Sequence, residues 1–320
     1  MSAAQRRRAV AVGGGTGLPS VIRCLLDLEF ETAAVVTMAD DGGSTGMLRR
    51  QLGMLPPGDI RNCIVAMADN DSNLLSQLFQ YRFPHGEGLA GHALGNLVLA
   101  ALADITGSFP MAIRSAEGYL GARGHVHPST LVDVELHGVD RAGSALSGQE
   151  NLATNPEPLA RVRLQPAKPA AYQPALDAIR EADVIVIGPG SLYTSLIPNL
   201  LVADVADAIC ASSAKRIYVC NVANMRGETG GLDAADHVGA LAEHGLEGGI
   251  DVVVAHEPQP CHAHLCDDDS RVEPVAFDEG IRARIEAYGA SVVTADLADP
   301  EDSVRHSRAA LCRVLERVIA

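Results

Sequence analysis

The opening of the chain constrains its fold most. Ala9-Val10-Ala11-Val12 is a short apolar run, broken at once by Gly13-Gly14-Gly15-Thr16-Gly17. Leu18, Val21, Ile22, Leu25 and Leu26 then recur on one helical face over Leu18 to Leu28, and Ala33 to Met38 is a second apolar, β-branched run. Strand, glycine turn, helix and strand in that order open a doubly wound sheet. Glycines let the backbone turn tightly and approach a phosphate, and the helix N-terminus supplies N–H donors. No Lys-Ser/Thr follows as in a Walker A loop, and Leu18 stands where a G-x-G-x-x-G fingerprint has its third glycine. A plain strand-to-helix turn is the competing reading.

The rest of the chain extends this frame. Asp59 to Ala68, Asn73 to Phe83 and Asn96 to Ile105 read as helices. Leu131 to Gly138 and Leu159 to Leu164 alternate apolar with polar residues, as antiparallel strands do, and Arg141 to Pro158 between them reads as a turn and exposed loop. Residues from Phe109 to Pro169 are therefore expected to form a β-rich insertion. Val184 to Ile187, Arg216 to Cys220 and Val252 to Val254 are buried-strand runs, separated by helical stretches at Leu200 to Ser212 and Ala234 to His244. Val304 to Val318 closes the chain as an amphipathic helix. The expectation is one α/β domain over 9–320 with a doubly wound, mostly parallel sheet and both glycine-rich loops at its carboxyl edge.

Composition narrows the partners. Aromatic residues are only 3% and Trp is absent, so the core must be built from Ala, Val, Leu and Ile, as in parallel sheets. A formal net charge of -15 disfavours nucleic acid and anionic membranes, yet leaves room for a small anion held by backbone N–H groups. No apolar run reaches the length of a membrane span, and Arg6-Arg7-Arg8 precedes too short a stretch for a signal sequence. A cytoplasmic location is expected. The seven cysteines include no C-x-x-C pair and mostly lie in apolar runs, which reads as reduced, core-filling cysteine. Cys261-His262-Ala263-His264-Leu265-Cys266 reads as a surface loop, because adjacent and alternate spacings splay metal ligands apart.

Six segments carry residues suited to chemistry. Gly13 to Gly17 is the first. Asp40 and Asp41, followed by Gly42-Gly43-Ser44-Thr45-Gly46, end the second strand, where a carboxylate can hold ribose hydroxyls or a metal near phosphates. In Gly58-Asp59-Ile60-Arg61-Asn62, Asp59 reads as an N-cap, and Arg61 opposes the helix dipole unless it faces an anion. His92 and Asn96 in Gly91-His92-Ala93-Leu94-Gly95-Asn96 are a candidate general acid and a candidate N-cap or ligand. Gly188, Gly190, Ser191, Thr194, Ser195 and Asn199 follow the most apolar strand and offer backbone and hydroxyl donors. Asn221 and Thr229 are candidates for base or sugar contacts. Turn and capping roles are the alternatives at each of these positions. Two carboxylates beside a diphosphate would repel it. Either Mg²⁺ bridges them, or one Asp turns away to cap the glycine turn or bind a sugar hydroxyl.

Taken in order, GGGTGL, ADDGGSTG, GDIRN, LFQYRF, GHALGN, GPGSLYTSLIPNLLV and GET resemble the gluconeogenesis-factor (YvcK) family of the wider CofD-like group. That group includes the 2-phospho-L-lactate transferases of deazaflavin cofactor biosynthesis. The resemblance runs from Val10 to His244. It implies a Rossmann-like core, a UDP-sugar or other nucleotide as ligand, and a role in cell shape and peptidoglycan-linked metabolism during gluconeogenic growth. It also admits a homodimer and a protein partner in cell-wall synthesis. By motif, Gly13 to Gly17 would hold the diphosphate, Asp40 and Asp41 would line the metal or reaction centre, and Gly190 to Asn199 would line the nucleotide or acceptor side. Asp40, Asp41 and His92 are the catalytic candidates if the chain is an enzyme, a Mg²⁺-dependent transferase of a phosphate-bearing group. An NAD(P) oxidoreductase is the remaining reading, weakened by the imperfect fingerprint. Family members often carry Arg-His-Asp where this chain has Arg305-His306-Ser307.

Overall fold

Runs of Val, Ile and Ala without polar interruption need cover on both faces, and a parallel sheet flanked by helices provides it. The computed structural model describes residues 6–68, 73–225, 227–257 and 272–320. Its strands are β1 (Arg8–Gly13), β2 (Glu31–Val36), β3 (His125–Pro128), β4 (Glu135–Asp140), β5 (Ala145–Ser147), β6 (Leu159–Gln165), β7 (Val184–Ile187), β8 (Lys215–Val219), β9 (Ala223–Met225), β10 (Val252–His256), β11 (Val272–Pro274) and β12 (Ser291–Ala295). Seven of them form the main sheet in the order β12-β10-β8-β7-β1-β2-β3. Every pairing in that sheet is parallel.

The chain builds β1, β2 and β3 outward in one direction, then returns to lay β7 on the other side of β1 and continues the opposite way. The reversal leaves a crevice at the carboxyl ends of β1 and β7, the place where open α/β sheets bind ligands. Gly13 ends β1 and Gly188 follows β7, so the two glycine-rich loops face each other there, as expected.

Helix α1 (Leu18–Asp27) buries Leu18, Val21, Ile22, Cys24, Leu25 and Leu26 against the sheet. Helices α2 (Gly43–Leu52) and α3 (Gly58–Met67) follow β2; α4 (Leu74–Gln80), α5 (Leu94–Thr106) and α6 (Phe109–Leu120) complete that flank. The β-rich insertion starts later than the sequence pattern suggests. Residues 109–128 supply α6 and the edge strand β3 of the main sheet, and the antiparallel sheet β5-β4-β6 is confined to Glu135–Gln165. The stretch Arg141 to Pro158 is no simple exposed loop. It holds β5 and a helix over Gln149–Thr154, whose Leu152 is fully buried.

One cysteine pair also departs from expectation. Cys24 on α1 is disulfide-bonded to Cys312 on the last helix, Arg308–Ile319, which packs along α1. Cys63 and Cys220 are buried free thiols, as read from their apolar surroundings. Cys261 and Cys266 lie outside the described residues. Among the described residues no single helix is long and apolar enough to cross a membrane; one bent pair, Leu192–Leu200 with Ala203–Ala211, has the composition, but its first member is buried throughout.

Candidate functional site

The loops at the carboxyl edge make two lobes that meet at Gly14 and Gly15. The first lobe is a cavity of about 220 Å³ at the β1/β7 crevice. Thr16, Gly17 and Ser20 form one wall, Gly190 and Ser191 another, and Arg305, ion-paired with Asp302 at 2.9 Å and largely exposed, borders the mouth from the chain before the last helix. Helix α1 begins here with Gly17 as N-cap and no side-chain cap; Pro19 carries no N–H and the Ser20 N–H donates to Gly17 O at 3.1 Å, so of its first three residues only Leu18 has an N–H left to offer. The loops touch closely: a Cβ on Gly17 would lie 2.6 Å from the Pro189 carbonyl oxygen. Asn221 pins the second loop, donating from Nδ2 to Gly190 O at 2.9 Å and accepting the Gly190 N–H at 3.2 Å. It braces the cavity wall with both ends of its amide. His306 holds its Nε2 3.0 Å from the Cys220 carbonyl oxygen, and burial lowers its pKa to about 4.

Several candidates on the β7 side turn inward. Asn199 donates to Gly13 O at 3.0 Å and Ser195 O at 2.9 Å and is fully buried, which makes it a strut under the first glycine loop. Thr194 N–H and Tyr193 N–H both donate to Glu228 Oε1, at 3.0 and 2.7 Å. The first turn of Leu192–Leu196 is thus closed by a protein carboxylate and does not offer those N–H groups to an anion. Thr229 accepts the Met225 N–H at 3.1 Å and stabilises its own loop. Ser195 lies under the first loop, its Oγ 3.3 Å from where a Gly15 Cβ would stand.

The second lobe gathers residues from α2, α3 and α5. Asp40 and Asp59 come together here, although sequence spacing suggests only an N-cap role for Asp59. Helix α3 starts at Gly58 after Pro57, and Asp59 reaches back so that its Oδ2 accepts the Gly15 N–H at 2.8 Å. Burial first, and the Asp40 charge second, raise the Asp59 pKa to about 7. Burial likewise raises Asp40, which the Thr45 side chain and the Gly42 N–H pull back. Gly58 explains how the two approach: a Cβ there would meet Thr45 Oγ1 at 2.5 Å and Asp40 Oδ2 at 3.0 Å. A glycine at a helix start was the sequence signal for this meeting, but it becomes readable only once the opposing loop is known.

Asp41 leaves the lobe. Its carboxylate accepts the Gln149 N–H at 3.0 Å and the Glu150 N–H at 2.9 Å, the first donors of the short helix in the insertion. The expectation that both carboxylates line one centre is corrected: Asp40 stays, and Asp41 caps a helix more than a hundred residues away. Arg49 strengthens the same join, donating to Asp40 O at 2.8 Å and to Asp133 Oδ1 and Val134 O at 2.6 and 2.8 Å.

Arg61 is 5% exposed. One nitrogen, Nη2, donates to Asn62 Oδ1 at 2.7 Å, while Nε and Nη1 are buried without a partner. Asn62 is therefore Arg61's neighbour in a pair. Burial lowers the Arg61 pKa to about 10, far above neutrality, so the cation persists. His92 Nδ1 lies 3.1 Å from Ser44 Oγ, and Asn96 Nδ2 donates to the same Oγ at 3.1 Å. All three are buried, and Asn96 Oδ1 has no partner. Helices α2, α3 and α5 all begin without a side-chain cap. A buried cation with two unbonded nitrogens, beside helix N-termini that lack side-chain caps, suits an anion. Among the described residues no group of three or more His, Cys, Asp or Glu is gathered around one metal position.

The comparisons with known proteins agree with this architecture. The family model described as 2-phospho-L-lactate transferase CofD matches residues 9–298. The gluconeogenesis factor of Bacillus subtilis is 40% identical over 304 residues, covering 94% of this chain and 95% of its own. The chain belongs to this family. The gluconeogenesis factor of Halalkalibacterium halodurans is 40% identical over 305 residues, covering 95% and 94% of the two chains. A crystal structure of a UPF0052 family member from Bacillus halodurans, 39% identical, superposes with a TM-score of 0.90 over 99% of this chain and 100% of the other.

Proposed function

We propose that the protein binds a nucleotide sugar, a UDP-sugar, with its diphosphate at the β1/β7 crevice, and that it acts as a regulator linked to cell shape and peptidoglycan metabolism under gluconeogenic growth. The observation that carries this reading is the uncapped N-terminus of α1, opening on a 220 Å³ cavity between two glycine-rich loops. The Leu18 N–H and the helix dipole favour a phosphate there, and the Ser20 hydroxyl and the guanidinium of Arg305, whose Nε is paired with Asp302, line the same cavity. A cytoplasmic location, self-association as a homodimer and a protein partner in cell-wall synthesis belong to the same reading.

The second lobe favours an alternative, a Mg²⁺-dependent transferase of a phosphate-bearing group. The Asp40 charge raises the proton affinity of Asp59, and a divalent cation held by both would relieve that repulsion. Two carboxylates suit Mg²⁺, which keeps several waters and completes its shell with ligand phosphates. The ion would be held by Asp40 and Asp59 and would neutralise charge on a phosphate. Arg61 would then hold the anionic group, Gly15 would position Asp59, and the Ser44–His92–Asn96 cluster would orient it.

Thermal melts with UDP-sugars, GDP and NAD(P), each with and without Mg²⁺, separate the readings. A ligand at a hundred times its Kd should add about 2.7 kcal/mol to apparent stability. A shift with UDP-sugars that ignores EDTA supports the regulator. A shift that requires Mg²⁺ supports the transferase, and no shift with any nucleotide removes both.

A further inference from the structure

Glu228 has one carboxylate oxygen whose role is plain and one whose role is not. Oε1 accepts the N–H groups of Tyr193 and Thr194 and, at 3.3 Å, the Thr194 hydroxyl. Those bonds cap the turn at Leu192–Leu196. Oε2 is buried without a hydrogen bond, in a residue only 1% exposed; the Ser191 hydroxyl stands close enough to favour the carboxylate but is turned to the Met225 sulfur at 3.9 Å. Capping needs one acceptor oxygen, and Asn, Ser or Thr would provide it without burying a charge. A buried acceptor left unpaired is costly and asks for a partner outside the protein. Glu228 also forms part of the wall of the crevice cavity, beside Ser191 and Asn221.

We infer that Glu228 reads a neutral donor on the bound nucleotide, the ribose diol, through Oε2. The inference rests on the nucleotide reading of the crevice. Phosphate is excluded as the partner, because a carboxylate and a phosphate in direct contact repel. The phosphates belong instead to the α1 N-terminus and Arg305. What remains is the part of a nucleotide that donates without charge, and every ribonucleotide carries the diol. The N–H of a base is the other source of such a donor. A sugar-reading carboxylate in this position is also joined to the rest of the site: Glu228 O accepts the Leu159 N–H of β6 at 3.1 Å, so its loop is held by the insertion.

The test is calorimetric titration of the wild type and Glu228→Gln with UDP, 2′-deoxy-UDP, 3′-deoxy-UDP and N3-methyl-UDP. Gln keeps an acceptor for the Tyr193 and Thr194 N–H groups and changes the other atom alone. One lost charge-assisted hydrogen bond predicts that at least one deoxy nucleotide binds the wild type about tenfold or more weakly than UDP. Glu228→Gln should bind UDP about tenfold more weakly and treat UDP and that deoxy nucleotide alike within about twofold. Deoxy nucleotides that bind the wild type as UDP does overturn the inference, even if the variant fails to fold. Full discrimination retained by Glu228→Gln overturns it too. A Glu228-dependent loss seen with N3-methyl-UDP, and not with the deoxy nucleotides, overturns the ribose assignment in favour of the base. Absence of any nucleotide binding by the wild type overturns the underlying reading, and is recognised before the variant is examined.

Discussion

Asp59 accepts the Gly15 N–H at 2.8 Å, across 44 residues of sequence. The bond ties the start of α3 to the first glycine loop and joins the two lobes. It also changes the meaning of a neighbouring glycine: a Cβ on Gly14 would lie 2.6 Å from Asp59 Oδ2 and 2.8 Å from Thr37 Cγ2. Gly14 is required by protein packing as much as by any ligand.

The Asp59 carboxyl titrates near 7 in the folded chain and at about 4 when unfolded. Between those values the folded chain holds a proton that the unfolded chain has lost. Stability from this group is therefore present below about pH 4 and falls as pH rises to about 7. Asp59→Asn, which keeps an acceptor for Gly15, should melt like the wild type at pH 4. At pH 8 it should melt higher, by as much as about 4 kcal/mol for a shift from about 4 to about 7. A lower melting temperature than wild type at pH 8 would show that the carboxylate stabilises the apo protein.

Arg61→Met should separate ligand binding from stability. The wild-type cation is buried with two unpaired nitrogens, and an apolar side chain of similar length removes that cost while keeping the packing. The apo variant should be as stable as wild type or more so by about 1 kcal/mol, with nucleotide or phosphate affinity reduced at least about tenfold. A large drop in apo stability, with affinity unchanged, would make Arg61 a structural residue.

Gly17→Ala should push the two loops apart, since its Cβ would stand 2.6 Å from Pro189 O. Strain of this kind costs about 1–3 kcal/mol. Melting temperature and UDP-sugar affinity should fall together. Affinity that survives a measured loss of stability would place the ligand away from this crevice.

Asp41→Ala should loosen the insertion and little else. It removes both acceptors from the start of the Gln149–Thr154 helix, an effect of about 1–2 kcal/mol by the usual cost of a lost cap. Hydrogen exchange should accelerate over residues 133–155 and stay unchanged in β1, β7 and β8. Uniform acceleration through the main sheet would contradict a local role.

Local order was legible in the sequence because it is decided locally. The β1–Gly loop–α1–β2 unit follows from apolar runs, glycines and a helical period, all within about thirty residues. The placement of both glycine loops at one edge follows from parallel crossovers, which bring every such loop to the carboxyl ends of the strands. Pattern reading failed where partners are remote. Alternation identified β4 and β6 but could not tell that residues 109–128 belong to α6 and the main sheet, because an edge strand of four residues such as His125–Pro128 has no period of its own. The two adjacent aspartates look equivalent in sequence. Only the order β7-β1-β2, together with the insertion folding back over it, sends Asp40 to Asp59 and Asp41 to Gln149. Glu228 could not be matched to Thr194, nor Cys24 to Cys312, for the same reason. Side-chain periodicity sets which face of an element is buried, whereas strand order sets which loops meet, and the charges of this site are settled by the meeting.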